Sequence, residues 1–327
     1  MKRLTLIILA VAIGAVPGCT KADTTGDDDG SGSVQLVAGF DPPPVAAGYK
    51  RYITPAVYKL QPGEDKMFCT WIEAPAGDDV DILDVRGYQS KTGHHLVLYS
   101  TSETSQDTPV GFSRECTTND MVSVEFLGGV GGEGGGNVTE LPVGYVFREG
   151  QGRMLLANTH YLNATDSVLD VQSVVDVKSA PPSASLKPAG MAVINYLDFQ
   201  IPANSSSYTV DAYCTWPMDT SLFMWSNHMH GDGMSAYSEA KRPDGTIIPL
   251  VTDTSWQAEE AFNPAWKHWD VSTPTMIHAG DEMHVSCTWK NPTNAMVLFP
   301  DEMCDAVGFY GESGQEMICD GKVKAAQ

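Results

Sequence analysis

Short apolar segments, each about the length of one strand, recur along the chain between clusters of Gly, Pro, Asn and Asp. They read "HHLVLYS", "MVSVEFLGG", "RMLLANTHYL", "MAVINYLDFQI", "YTVDAYCTW", "EMHVSCTW" and "MVLFP". Val, Tyr, Leu and Thr dominate them, as suits a pleated, half-buried surface. No run keeps helical spacing of apolar residues beyond two turns, so the pattern predicts an all-β fold of packed antiparallel sandwiches. "SAPPSASLKPAG", residues 179–190, breaks the pattern with Pro and Ser and is the expected linker. It separates an N-terminal domain, 41–178, from a C-terminal domain, 191–322. "GGVGGEGGG" contains a G-x-G-x-x-G, but no helical pattern follows to offer its N-terminus to a phosphate. It is read as a flexible loop.

Length and charge narrow the classes of function. The 327 residues leave room for two cores of ordinary size. A formal net charge of -21 opposes electrostatic binding of nucleic acid or of an anionic membrane face. Lys2 and Arg3 precede an apolar run from Leu4 to Ala15, too short to span a bilayer, which ends at Val16-Pro17-Gly18-Cys19. Residues 1–18 are therefore expected to be a lipoprotein-type signal peptide, with lipid carried on Cys19. Residues 19–40 are expected to be an acidic flexible tether. The expected location is a bacterial cell envelope, at the outer membrane, with membrane contact only through the lipid. Six cysteines remain: Cys69, Cys116, Cys214, Cys287, Cys304 and Cys319. An even number in an exported chain points to disulfides, and six allow fifteen pairings. No C-x-x-C pair supports a zinc ribbon or a thioredoxin site.

Five of the eight histidines fall in three short places. His228 and His230, in "NHMHGDGMSAY", point to one face of an extended strand, with Cα atoms roughly 6.5–7 Å apart, close enough to grip one metal ion. His94 and His95 are adjacent, so they can share a metal only where the backbone bulges. His160 lies on the strand "RMLLANTHYL". His268, His278 and His284 lie outside these groups and are expected to be structural or solvent-facing.

Taken in order, "HHLVLYS", "LPVGYVFREGQG", "NTHYLN", "HMHGDGMSAYSEAKRPDGT" and "PDEMCDAVGFY" resemble the copper type II, ascorbate-dependent monooxygenases. The resemblance spans roughly residues 45 to 320. It implies two consecutive jelly-roll-like antiparallel sandwiches with metal sites facing an interdomain cleft. It further implies two coppers per chain: one on His94, His95 and His160, the other on His228, His230 and Met303. A thioether favours Cu(I), while imidazole serves both oxidation states. The implied disulfides are Cys69–Cys116, Cys214–Cys319 and Cys287–Cys304. The implied reaction hydroxylates a C–H bond of a small organic substrate with O2 and a one-electron reductant such as ascorbate. In that scheme the all-histidine site transfers electrons, and the His228, His230 and Met303 site is catalytic. Peptide-amidating members place an arginine two residues before the His-x-His pair and a tyrosine four residues after the methionine; Ser226 and Val307 stand there in this chain. A carboxylate-bearing, glycine-extended peptide is therefore not the expected substrate. A copper-storing or copper-delivering lipoprotein is the competing reading, and a sandwich with incidental histidines is a third.

Overall fold

The computed structural model describes residues 35–323 apart from 74–78, 118–119, 121–123, 132–133, 137–140, 151–152, 262, 300, 312–313 and 315. Residues 1–34, which hold the expected signal peptide, Cys19 and most of the expected tether, lie outside the described residues. The architecture is all-β and sandwich-like. Two five-stranded sheets each pack across part of one long sheet. The long sheet begins with Tyr49–Ile53, Ser173–Ala180, Val80–Gln89 and Tyr145–Glu149. It continues through Lys187–Asn195, Asp305–Gly311, Thr220–His228 and Lys267–His268. Its two halves join at a short parallel pairing, Tyr145 with Lys187 and Val146 with Pro188. Of residues 179–190, only 181–186 lie between strands; the rest extend Ser173–Ala180 and Lys187–Asn195.

The continuity of the long sheet accounts for the unbroken apolar runs "MAVI" and "LFMW". On its C-terminal half, Ala192, Ile194, Leu222, Trp225, Ala306 and Tyr310 face one core. Met191, Met224 and Phe309 face the core shared with the N-terminal half, beside Val85, Leu98 and Phe147. A strand covered on both faces needs apolar residues at every position rather than at alternate ones. Close packing here also needs glycine: a Cβ on Gly308 would come within 2.3 Å of the Met224 carbonyl oxygen.

The five-stranded sheets carry the sites. One runs Ser113–Glu115, Asp65–Glu73, Arg153–Leu162, Gly93–Thr104 and Glu125–Gly131. The other runs Ile247–Asp253, Gly233–Lys241, Glu282–Asn291, Ser205–Thr215 and Lys322–Val323. They are built alike. Phe68-Cys69-Thr70-Trp71 lies in one strand next to the centre, and Tyr213-Cys214-Thr215 ends the other, with Trp216 directly after it. Each central strand leads into a buried Asn-x-Thr turn with the same bonds. Asn163 donates to Leu60 O and Ser167 O and accepts from Thr165; Asn291 donates to Pro202 O and Ala295 O and accepts from Thr293.

Two expectations are corrected. "GGVGGEGGG" is not a loop throughout: Glu125–Gly131 and Gly134–Gly136 are strands. A Cβ on Gly129 would lie 2.5 Å from Leu96 O, so glycine serves close strand approach there. "MVLFP" is a loop that makes a single bridge, Ile201 to Val297, and leaves Met296 and Leu298 exposed.

Candidate metal centres

The Arg153–Leu162 and Gly93–Thr104 strands build the first centre. His160 pairs directly with His95, but the next pair along is Tyr161 with Gly93. One residue is therefore extra, and it is His94. This bulge lets two adjacent histidines turn towards one point. His94 Nδ1 lies 3.0 Å from His160 Nδ1, and one ligand atom from each of the three residues lies within 4.8 Å of the others. The outward nitrogens are also held. His95 Nε2 meets Asn158 Oδ1 at 3.0 Å, and His160 Nε2 bonds Asp65. Such partners fix the tautomer and leave Nδ1 of both rings to face a metal. Asn158 in turn donates to Cys116 Sγ at 3.3 Å, so the Cys69–Cys116 bridge sits directly behind His95. Three imidazoles at this separation, two of them held from behind by Asn158 and Asp65, fit a copper ion.

Burial disfavours the charged form of His94 and His95. Desolvation, and then the neighbouring His160, lower the His94 pKa. The same two causes push His95 well below the ordinary histidine value, and His230 adds to the effect.

The second centre grows from the end of Thr220–His228. His228 stands opposite Asp305, and Met303 lies two residues ahead of Asp305 in the same chain. Met229 is buried in the C-terminal core, which turns His228 and His230 away from it. Their ring centroids are 5.3 Å apart at 87°. His230 Nδ1 donates to Asp301 O at 3.0 Å, leaving Nε2 for a metal. Burial lowers the His228 pKa to about 3, with His230 contributing.

Glu302 organises this turn. Only 1 % exposed, its carboxylate accepts from His230 N at 2.8 Å, Asp232 N at 2.6 Å and Trp289 Nε1 at 2.9 Å. Met303 follows it directly, and Cys304 is bonded to Cys287 on the central strand. One residue therefore ties the His-x-His turn to the methionine. Two imidazoles suit copper in either oxidation state, and Met303 lies on the segment that Glu302 ties to them.

All three expected disulfides are present: Cys69–Cys116, Cys214–Cys319 and Cys287–Cys304. Among the remaining histidines, His268 is exposed on a strand edge and His278 lies 3.4 Å from Asp219. His284 is structural: it bonds Asp211 and Glu239 and stacks on Tyr213.

The metal-free protein should lose stability as pH rises from 6.5 to 8.5. Burial raises Asp305 to about 8 and Glu316 to about 7. The folded state holds those protons while the unfolded chain has released them, so their stabilisation is lost as pH rises through 7 to 8. The lowered histidines act oppositely, but only below 6.5, where the unfolded chain gains protons that the folded state refuses. Asp305 alone should account for about 2 kcal/mol over the upper window. Thermal melts with chelator check this. A melting temperature that does not fall between pH 6.5 and 8.5, or an Asp305→Asn variant with an unchanged slope, would contradict it.

Comparison with known proteins finds one family model over the region that holds the second centre. Residues 187–327 match the sequence model described as copper type II ascorbate-dependent monooxygenase, C-terminal domain. No curated protein matches the chain. Among solved structures, PNGase F, a glycosylasparaginase from Flavobacterium meningosepticum, aligns at 8 % identity over 85 % of this chain and 99 % of that one, with a TM-score of 0.38. A structure of infectious bursal disease virus, Gt strain, aligns at 8 % identity over 84 % of this chain and 80 % of that one, with a TM-score of 0.13. Neither likeness is close enough to carry a conclusion. Residues 187–327, which hold His228, His230 and Met303, are thus similar to the C-terminal domain of the copper type II ascorbate-dependent monooxygenases.

Proposed function

We propose that the protein is a copper monooxygenase that hydroxylates a C–H bond of a small organic substrate, using O2 and a one-electron reductant such as ascorbate. The observation that carries this reading is a second, separately built histidine centre in addition to the one inside the family-matched region. A carrier needs one site, whereas a reaction that consumes two electrons singly has a use for two. Bound copper would supply the one-electron couple and an open coordination position for dioxygen.

The chain's own residues hold and orient. His94, His95 and His160, fixed from behind by Asn158 and Asp65, form the electron-transfer centre in this reading. His228, His230 and Met303 form the catalytic centre, with Glu302 keeping their spacing. Ser226, Val307, Met224 and Phe309 lie on the two strands that lead away from it. Ser226 is buried with its hydroxyl turned to Asn227 O, and Val307 is its cross-strand partner. Those surroundings support an apolar substrate without a carboxylate. Export, and anchorage through Cys19, belong to the same proposal and are supported by three disulfides, which persist in oxidising compartments.

Copper-reconstituted protein is expected to hold about two ions per chain, falling to about one in the His228→Ala, His230→Ala double variant. Wild type should also consume oxygen with ascorbate and place one labelled oxygen atom in a product from a panel of apolar substrates. Unchanged copper content in the double variant would sink the site assignment. Full copper loading without oxygen uptake would favour a carrier.

A further inference from the structure

Two indoles bond to the groups that hold the second centre, and they differ in what lies behind them. Trp256 Nε1 donates to His230 O at 2.9 Å, and Trp289 Nε1 donates to Glu302 Oε2 at 2.9 Å. Trp289 is fully buried and stacks between two rings, Phe199 at 4.8 Å and Tyr208 at 6.3 Å between centroids. Tyr208 pairs with Trp289 across the strands and is half-buried, among the exposed Ser206, Ser207 and Thr209. The sequence Glu302, Trp289, Tyr208 thus runs from the residue beside Met303 through the core to the surface. Among the described residues, no ring stacks on Trp256.

Indole and phenol are among the side chains that give up an electron most readily, whereas the benzene ring of Phe199 does not. An oxygen-using centre exposed to O2 and ascorbate with no substrate bound gains an oxidising equivalent and has no C–H bond on which to use it. We propose that Trp289 and Tyr208 form an electron-supply route that refills the second centre from reductant in solvent when it is oxidised without substrate. The inference rests on the monooxygenase reading and extends it to two residues that bind neither metal nor substrate.

The steps balance as follows in electrons and protons. Trp289 gives one electron to the oxidised centre and becomes an indole radical cation, stabilised by its hydrogen bond to the Glu302 carboxylate. Tyr208 returns an electron to Trp289 and releases its phenolic proton to water. Ascorbate then gives a hydrogen atom to the tyrosyl radical and restores the phenol. The net change is one electron delivered to the centre, one proton released to water and one ascorbate oxidised by one electron. Trp256 has no such relay behind it.

The test cycles copper-loaded, full-length protein with ascorbate and air, without substrate and with catalase to remove diffusible peroxide. Freeze-quenched samples are examined by electron paramagnetic resonance, and peptides by mass spectrometry. Tyr208→Phe keeps the ring and its stacking, and oxygen uptake in the first turnover, made with copper already reduced, should match wild type. Wild type should show a tyrosyl radical that Tyr208→Phe lacks. The variant should accumulate several-fold more oxidised Trp289, with Trp256 and the exposed Met296 unchanged. Tyr213→Phe, on the same strand but stacked on His284, should behave as wild type in every readout. Normal oxygen uptake with the radical retained in Tyr208→Phe, or with oxidation rising equally at Trp256, Trp289 and Met296, would overturn the route. Absence of oxygen uptake by copper-loaded wild type would instead remove the monooxygenase reading, and the route with it.

Discussion

Glu302→Leu is expected to dismantle the second centre while leaving the first intact. The substitution removes a buried acceptor shared by three donors: His230 N, Asp232 N and Trp289 Nε1. Each donor left buried without a partner costs about 1–3 kcal/mol, because the penalty of removing it from water is no longer offset. Leucine cannot accept a hydrogen bond, so the total is expected to reach several kcal/mol, a large share of the stability of an ordinary domain. Glu302→Gln separates position from charge. It keeps one acceptor oxygen but presents an NH2 group where a second acceptor stood, so at least one N–H must lose its bond. The expected order of melting temperature is wild type, then Gln, then Leu. Copper at the His94, His95 and His160 centre should persist in both variants, since its supports come from other strands. A Leu variant with wild-type stability and full copper content would show that Glu302 does not organise the turn.

That role was only partly legible in the sequence. The Glu-Met-Cys element drew attention to Met303 through a family resemblance, yet nothing in the chain marks Glu302 as buried. Its function depends on a turn some 70 residues earlier folding back upon it, and local patterns carry no such information. Asn158 and Asp65 were missed for the same reason: each supports a histidine from a neighbouring position whose relevance appears only once strands are in register. The His-x-His geometry was readable because it is local; a period of two fixes which side chains share a face. The adjacent His94 and His95 were readable as a conditional statement, requiring a bulge, and the register shift between His160 and Tyr161 supplies it.

The fold class was likewise legible, whereas the joining of the two halves was not. Short apolar segments between turn residues predict sandwiches, but a continuous apolar run looks alike in a core strand and in a strand covered on both faces. "LFMW" is of the second kind, with Trp225 in one core and Met224 in the other. The Pro- and Ser-rich stretch at 179–190 contains a real break, yet strands continue into it from both sides. The repetition of "FCTW" and "YCTW", each beside a central strand that ends in Asn-x-Thr, was available as a sequence signal for two similar sheets.

Met303→Ile should abolish substrate hydroxylation while sparing Cu(II) binding. His228 and His230 supply two imidazoles that suit either oxidation state, but the thioether is the soft donor that supports Cu(I). Isoleucine removes the sulfur and keeps an apolar side chain of similar volume, so the packing cost should stay below about 1.5 kcal/mol. The Cys287–Cys304 bridge anchors the next residue to the central strand, and Glu302 anchors the previous one, so the backbone at position 303 is held from both sides. The loss is therefore chemical rather than conformational. The variant should retain the wild-type number of Cu(II) ions, melt within a few degrees of wild type and lose a sulfur scatterer from the X-ray absorption spectrum of the reduced protein. A reduced spectrum that keeps its sulfur contribution would show that another methionine, with Met229 and Met234 nearest in sequence, is the ligand. Met229 is the weaker of those candidates, because its side chain is fully buried in the C-terminal core between the two histidines.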